Sequence, residues 1–323
     1  MVKVRARPRW WRSGLSLVTL LVAGGILIID WSANLASHPA YLVTLLVLIF
    51  ASVVAGATGL LDVRATARPP ERSLPGGGWR RVAHGCGVVA LLLLLAALVY
   101  LRPLHASPVA VEAMAGSPQV HVVDSANRIE LSPTSATRTT GLVFYPGAKV
   151  DPRAYVPNLT PIAAAGYPVI ILKVPYNIAF AGRNAAFRAM DAEPTVTRWV
   201  VGGHSLGGVV ASSVAGSNDP RVRGLLLWAS YPNSTLADRP SLQATSISGW
   251  NDGLATPAKV DAAKAKLPPD TRYVVIDGGI HSFFGDYGLQ SGDGTPSVSR
   301  HAAQEQIQTA TLELMQRVAD EPP

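Results

Sequence analysis

At 323 residues the chain has room for one large domain and something smaller, and 48% hydrophobic with only 15% charged residues points to membrane segments. The net charge of +7 is unevenly placed: residues 1–104 carry 11 basic and 3 acidic side chains, and the remainder carries 17 and 18. No nucleic acid is therefore expected as a partner, because the second part has no basic excess to neutralise phosphates; the single cysteine, Cys86, excludes a disulfide framework, a cysteine-based zinc site and a thiol nucleophile there.

Three apolar stretches open the chain: residues 13–29, 40–61 and 84–101. Each lacks Lys, Arg, Asp and Glu and comes near the roughly 20 residues a helix needs to cross the hydrocarbon. Trp10, Trp11, Trp31, Trp79 and Tyr100 stand at their flanks, as interfacial anchors do. A membrane region with three helical spans is expected over residues 1–104, with the lipid bilayer as partner. The tail before the first span is basic, the link over 30–39 has no Lys or Arg, and the next link carries Arg64, Arg68, Arg72, Arg80 and Arg81. By the positive-inside rule the N-terminus is cytoplasmic, and everything after Leu101 lies on the outer face of the cell membrane. A cleaved signal peptide is the competing reading of the first stretch; it lacks a clear small-x-small site around residues 32–37, and cleavage would still leave the downstream part outside. Residues 105–119, with Pro108 and several small side chains, read as a linker.

From residue 120 to 323 the pattern changes to short strand-like runs alternating with helical ones. Strands are expected at 121–123 and 128–131 as a hairpin, then at 141–145, 168–174, 197–201, 224–229, 243–248 and 272–276. Helices are expected at 156–165, 184–190, 209–215, 257–265 and 298–318. Apolar strands interleaved with helices argue for an α/β domain, a mostly parallel sheet covered on both faces. In such sheets the chemistry sits at the carboxyl ends of strands.

Gly203-His204-Ser205-Leu206-Gly207-Gly208 stands between a strand and a helix. Small residues two before and two after the serine are what a tight strand-to-helix turn requires, and the turn lifts the hydroxyl of Ser205 out of the sheet. A serine needs a base within reach and an acid to orient that base. Asp252 follows the strand at 243–248 in Gly249-Trp250-Asn251-Asp252-Gly253, and His281 follows the strand at 272–276 in Gly279-Ile280-His281-Ser282-Phe283.

These segments, with Phe144-Tyr145-Pro146-Gly147-Ala148 and Leu172-Lys173-Val174-Pro175-Tyr176-Asn177, resemble the alpha/beta-hydrolase fold, specifically the small bacterial subfamily related to dienelactone hydrolase. The likeness spans about residues 120–320 and leaves out the apolar stretches. It implies Ser205 as nucleophile, His281 as base and then acid, and Asp252 as the group orienting the imidazole. It further implies an oxyanion hole from the backbone amides of Leu206 and Ala148. Dienelactone hydrolases use a cysteine where this chain has Ser205, so their substrate does not transfer.

Rival residues are weaker. His204 stands on the wrong side of the turn to serve Ser205 and reads as a structural partner of nearby backbone; His301 reads as solvent-facing. Asp277, Asp219 and Asp238 are alternatives to Asp252, and Asp286 reads as a residue that pins the His281 loop. No metal-ligand spacing and no cofactor fingerprint is present, so neither a metal nor a cofactor is expected. The expectation is a membrane-anchored serine hydrolase that cleaves a carboxylic ester or related acyl bond of a small-molecule or envelope-associated substrate through an acyl-enzyme. Only 47 residues separate Ser205 from Asp252, which leaves little room for a helical lid and favours short acyl groups. Acyl transfer, peptide cleavage by the same three residues, and a non-catalytic binding module are the alternatives.

Overall fold

The computed structural model describes residues 10–64 and 77–322. The chain divides into two units, Met1–Asn34 with Ala40–Arg102, and Leu35–Pro39 with Pro103–Pro323.

The first unit holds α1 (Trp10–Ile29), α2 (Trp31–Ala36) up to Asn34, α3 (Pro39–Arg64) from Ala40 and α4 (Gly77–Tyr100). Two segments among the described residues, Pro39–Thr58 and Val82–Tyr100, are long and apolar enough to cross a membrane. The third expected span, Ser13–Ile29, is shorter. At 1.5 Å per residue it extends about 25 Å, against a hydrocarbon core of about 30 Å. Residues 1–9 and 65–76, which carry much of the positive charge behind the expected orientation, lie outside the described residues.

Large apolar side chains of this unit face outward: Leu21, Ile28, Phe50 and Leu93 are each at least 66% exposed. Several of its polar groups turn in, Thr19, Asp30 and Asn34 among them. The Tyr41 hydroxyl donates to the Leu98 carbonyl at 2.6 Å. The Arg102 guanidinium grips the buried Asp30 carboxylate through two hydrogen bonds, of 2.7 and 3.0 Å.

The second unit holds eight strands: β1 (Val120–Asp124), β2 (Arg128–Pro133), β3 (Thr140–Tyr145), β4 (Val169–Leu172), β5 (Arg198–His204), β6 (Val222–Trp228), β7 (Gln243–Gly249) and β8 (Arg272–Ile276). They form one sheet in the order β1-β2-β4-β3-β5-β6-β7-β8. Pairing is antiparallel from β1 to β2 and from β2 to β4, and parallel everywhere else. Its helices are α5 (Pro108–Glu112), α6 (Val156–Ala164), α7 (Ala185–Asp191), α8 (Leu206–Ala215), α9 (Pro257–Ala262) and α10 (Arg300–Ala319).

Side chains alternate across a strand, so a strand buried on both faces must be apolar throughout. On β3, Leu142 and Phe144 join the core under α6 and α10, while Val143 and Tyr145 join the core under α7 and α8. On β6, Leu226 and Trp228 go to the first core, Leu225 and Leu227 to the second. The indole of Trp228 donates to Thr311 Oγ1 of α10 at 3.1 Å, so the buried N–H is satisfied without breaking the apolar layer.

The expected linker differs from expectation. Residues 105–119 carry α5, whose Ala110 is fully buried, and Ser107 donates its amide to the Asp286 carbonyl at 2.7 Å. Ser107 before Pro108 is a helix-start pair: its Oγ accepts from the Ala110 amide at 3.4 Å. The stretch is therefore part of the second unit.

Candidate active site

Ser205 joins β5 to α8 in a left-handed conformation, φ 53° and ψ −122°. Such a backbone costs a non-glycine residue about 1–3 kcal/mol, and persists only where its surroundings impose it. They do so here. The Ser205 amide donates to the Trp228 carbonyl at 2.9 Å, and its own carbonyl accepts from the Ser230 hydroxyl at 2.6 Å. The turn is tight enough to need its glycines: a Cβ on Gly203 would lie 2.4 Å from the Gly207 carbonyl carbon, and one on Gly207 would lie 2.2 Å from the Tyr145 carbonyl oxygen. The Ser205 side chain is half-buried at the head of α8.

Asp252 and His281, 29 residues apart, meet at the carboxyl ends of β7 and β8. His281 Nδ1 lies 2.8 Å from Asp252 Oδ2, and both side chains are buried. The other carboxylate oxygen, Oδ1, accepts the amides of Leu254 and Ala255, each at 2.8 Å. A carboxylate can only accept, so Nδ1 carries a proton, and in the neutral imidazole Nε2 presents its lone pair. Nε2 is buried and bonds to nothing in this structure, so its hydrogen bond to the Ser205 hydroxyl is not made.

His204 has a side-chain partner rather than the expected backbone one. It is fully buried, its Nδ1 lies 2.9 Å from the Tyr155 hydroxyl, and its ring centroid is 4.5 Å from that of His281. Burial, with the neighbouring His281 adding to it, holds this imidazole well below its ordinary range, so it is neutral. Burial likewise keeps the Tyr155 phenol protonated. That hydroxyl accepts the Gly147 amide at 2.8 Å and is left to donate to His204. Since Pro146 has no N–H and Gly147 is engaged, the Ala148 amide is the candidate donor of this loop; Ala148 and Leu206 are both half-buried.

The rival residues stand elsewhere. His301 is 84% exposed and faces Glu305. Asp238 and Asp277 are exposed, and Asp219 is bonded to Arg221. Asp286 accepts from Gln304 at 3.2 Å, and its amide donates to the Ala154 carbonyl. Among the described residues no group of three or more His, Cys, Asp or Glu could hold a metal ion.

Several supporting residues escaped the sequence reading: Tyr155, Ser230, Asp293 and Arg300. Ser230 alone carried a usable signal, being polar just past the end of an apolar strand. Tyr155 lies 49 residues from His204 with no motif linking them.

No curated protein sequence matches the chain. Among solved structures, an esterase from Thermogutta terrifontis with butyrate bound is 15% identical over 64% of this chain and 97% of its own, at a TM-score of 0.43. An alpha-beta serine hydrolase homologue from Coxiella burnetii is 14% identical over 61% and 97%, at 0.40. A dienelactone hydrolase-like promiscuous phosphotriesterase from metagenomic libraries is 14% identical over 59% and 92%, at 0.41. The family itself rests on a match of residues 141–305 to the model of the alpha/beta hydrolase family, which covers half of the sequence and takes in Ser205, Asp252 and His281. The chain belongs to the alpha/beta hydrolase family.

Proposed function

We propose that the protein is a membrane-anchored serine hydrolase that cleaves a carboxylic ester or related acyl bond through an acyl-enzyme. The observation that carries this reading is the buried Asp252–His281 hydrogen bond, at the same sheet edge where Ser205 is held in a strained turn. Ser205 Oγ swings toward the free lone pair of His281 Nε2 and attacks the acyl carbon as its proton passes to the imidazole. Links of this kind are often long without substrate and tighten as the complex forms. Asp252 fixes the tautomer and stabilises the imidazolium. The amides of Leu206 and Ala148 receive the oxyanion, each contributing about 3 kcal/mol to the transition state. His281 then protonates the leaving group, and water releases the acid by the same steps in reverse.

No helix lies between Trp228 and Gln243. This supports an uncovered site that takes short acyl groups; a strong preference for long chains in an ester series counts against it. The outward-facing apolar side chains support the anchor. In this reading α1 spans as well, the N-terminus is cytoplasmic and the hydrolase unit lies outside. Single cysteines placed in a Cys86→Ser background locate each segment with an impermeant thiol reagent on intact cells, and labelling of residues 65–76 from outside would reverse the orientation.

The test of the chemistry is a fluorophosphonate probe on the full chain in detergent. An adduct on Ser205, absent from Ser205→Ala, is expected. Folded protein that forms none is a binding module. Product analysis with added alcohol or peptide separates hydrolysis from acyl transfer and peptide cleavage.

A further inference from the structure

We infer that Asp293 is a positioning residue that locks the acid and base loops to one another, a reading that rests on Asp252 and His281 serving Ser205. Asp293 lies in the loop before α10, 12 residues past the histidine. Its Oδ1 accepts the His281 amide at 3.0 Å and the Gly294 amide at 2.8 Å, and its Oδ2 accepts the Ser282 amide at 2.8 Å. The Gly253 amide, next to Asp252, stands at 3.5 Å from Oδ1.

The His281 and Ser282 amides open the helical turn His281–Phe284, and the first amides of such a turn have no acceptor within it. Asp293 supplies one from outside, with a charge of the sign that this end of the turn favours. At the other end the Arg300 guanidinium donates to the carbonyls of Ser282 (2.7 Å), Gly285 and Tyr287 (3.1 Å). The turn that aims the imidazole is thus held by a carboxylate on its amides and a guanidinium on its carbonyls.

The same segment is seated on the acid loop. Asn251 Nδ2 donates to the Thr295 carbonyl at 2.9 Å. A Cβ on Gly253 would lie 2.4 Å from the Gly292 carbonyl oxygen, and one on Gly294 only 1.7 Å from that of Asn251. A carboxylate that merely capped its own loop would need neither the His281 and Ser282 amides nor this close seat. Asp293 touches no reacting atom, and its effect passes through the distance and angle between Asp252 and His281.

The test compares wild type, Asp293→Ala and Asp293→Asn as full chains in detergent, with folding checked by thermal melting. In Asp293→Ala, kcat for a short ester is expected to fall about 100-fold, the scale of a displacement of around 1 Å, with KM little changed. Asp293→Asn keeps one accepting oxygen and turns an N–H2 against the Ser282 amide, so it should fall between the two. A folded Asp293→Ala with wild-type kcat, or one whose loss is in KM alone, overturns the inference; if that variant does not fold, the same outcome in Asp293→Asn does. Failure of wild type itself to label at Ser205 strikes the proposed function instead.

Discussion

The two units are built with opposite polarity. In the helical unit, Leu21, Ile28 and Phe50 face out while Thr19, Asp30 and Asn34 are buried; in the sheet unit, Leu142, Leu226 and Ile247 are fully buried between sheet and helices. The hydrophobic effect drives the second arrangement in water and offers the first nothing unless its surroundings are themselves apolar. The sheet unit thus solves the folding problem that water sets, and the outward apolar face of the helical unit is what the proposed membrane anchor calls for. Buried carboxylates, by contrast, are treated alike in both: Asp30 is gripped by the Arg102 guanidinium and Asp151 by that of Arg153.

The largest expected effect tests whether chemistry is confined to the sheet unit. Asp252→Asn should lower kcat about 10,000-fold by favouring the wrong imidazole tautomer, with membrane partition unchanged on flotation; a loss of partition would mean the two units are not separable. Next comes packing. Leu226→Ala should destabilise by about 2–5 kcal/mol, whereas Leu21→Ala, at a position 67% exposed, should stay within about 0.5 kcal/mol. Both are read from thermal melts of the full chain in detergent, and equal effects would erase the contrast.

Arg102→Ala should cost about 3 kcal/mol by taking the guanidinium from the buried Asp30 carboxylate, measured by the same melts. The smallest effect is at Asp286, where burial raises the carboxyl above its ordinary range. A raised carboxyl favours the fold in its protonated form, so its contribution is present in acid, is lost as pH rises through the folded value, and is unfavourable at neutral pH. Asp286→Asn should give a small rise in Tm at neutral pH that vanishes in acid.

Most strands were legible because burial on both faces demands unbroken apolar runs, as at 141–145 and 224–229. Of the candidate site residues only Ser205 stands just beyond such a run; Asp252 follows the polar-rich Gln243–Gly249 and His281 stands five residues past Ile276, so these two are candidates by their order after the serine and their place past a strand end. The Tyr155–His204 bond was not, since a hydroxyl inside a helical stretch and a histidine inside a glycine turn announce no partner. Asp293 stands in Gln290-Ser291-Gly292-Asp293-Gly294, a composition shared by any surface turn, and its role comes only from the two loops laid against it. Residues 105–119 were misread because their proline content outweighed the start signal of Ser107-Pro108.

Glycine would occupy the left-handed backbone of position 205 without penalty, so, with Ser205 as the nucleophile we propose, mutation there toward a more robust molecule is also mutation toward an inert one. Left to neutral drift, a duplicate of this chain would be expected to lose its hydroxyl before it lost its shape, and retention of serine at position 205 across descendants would be a record of selection for reactivity against the comfort of the chain.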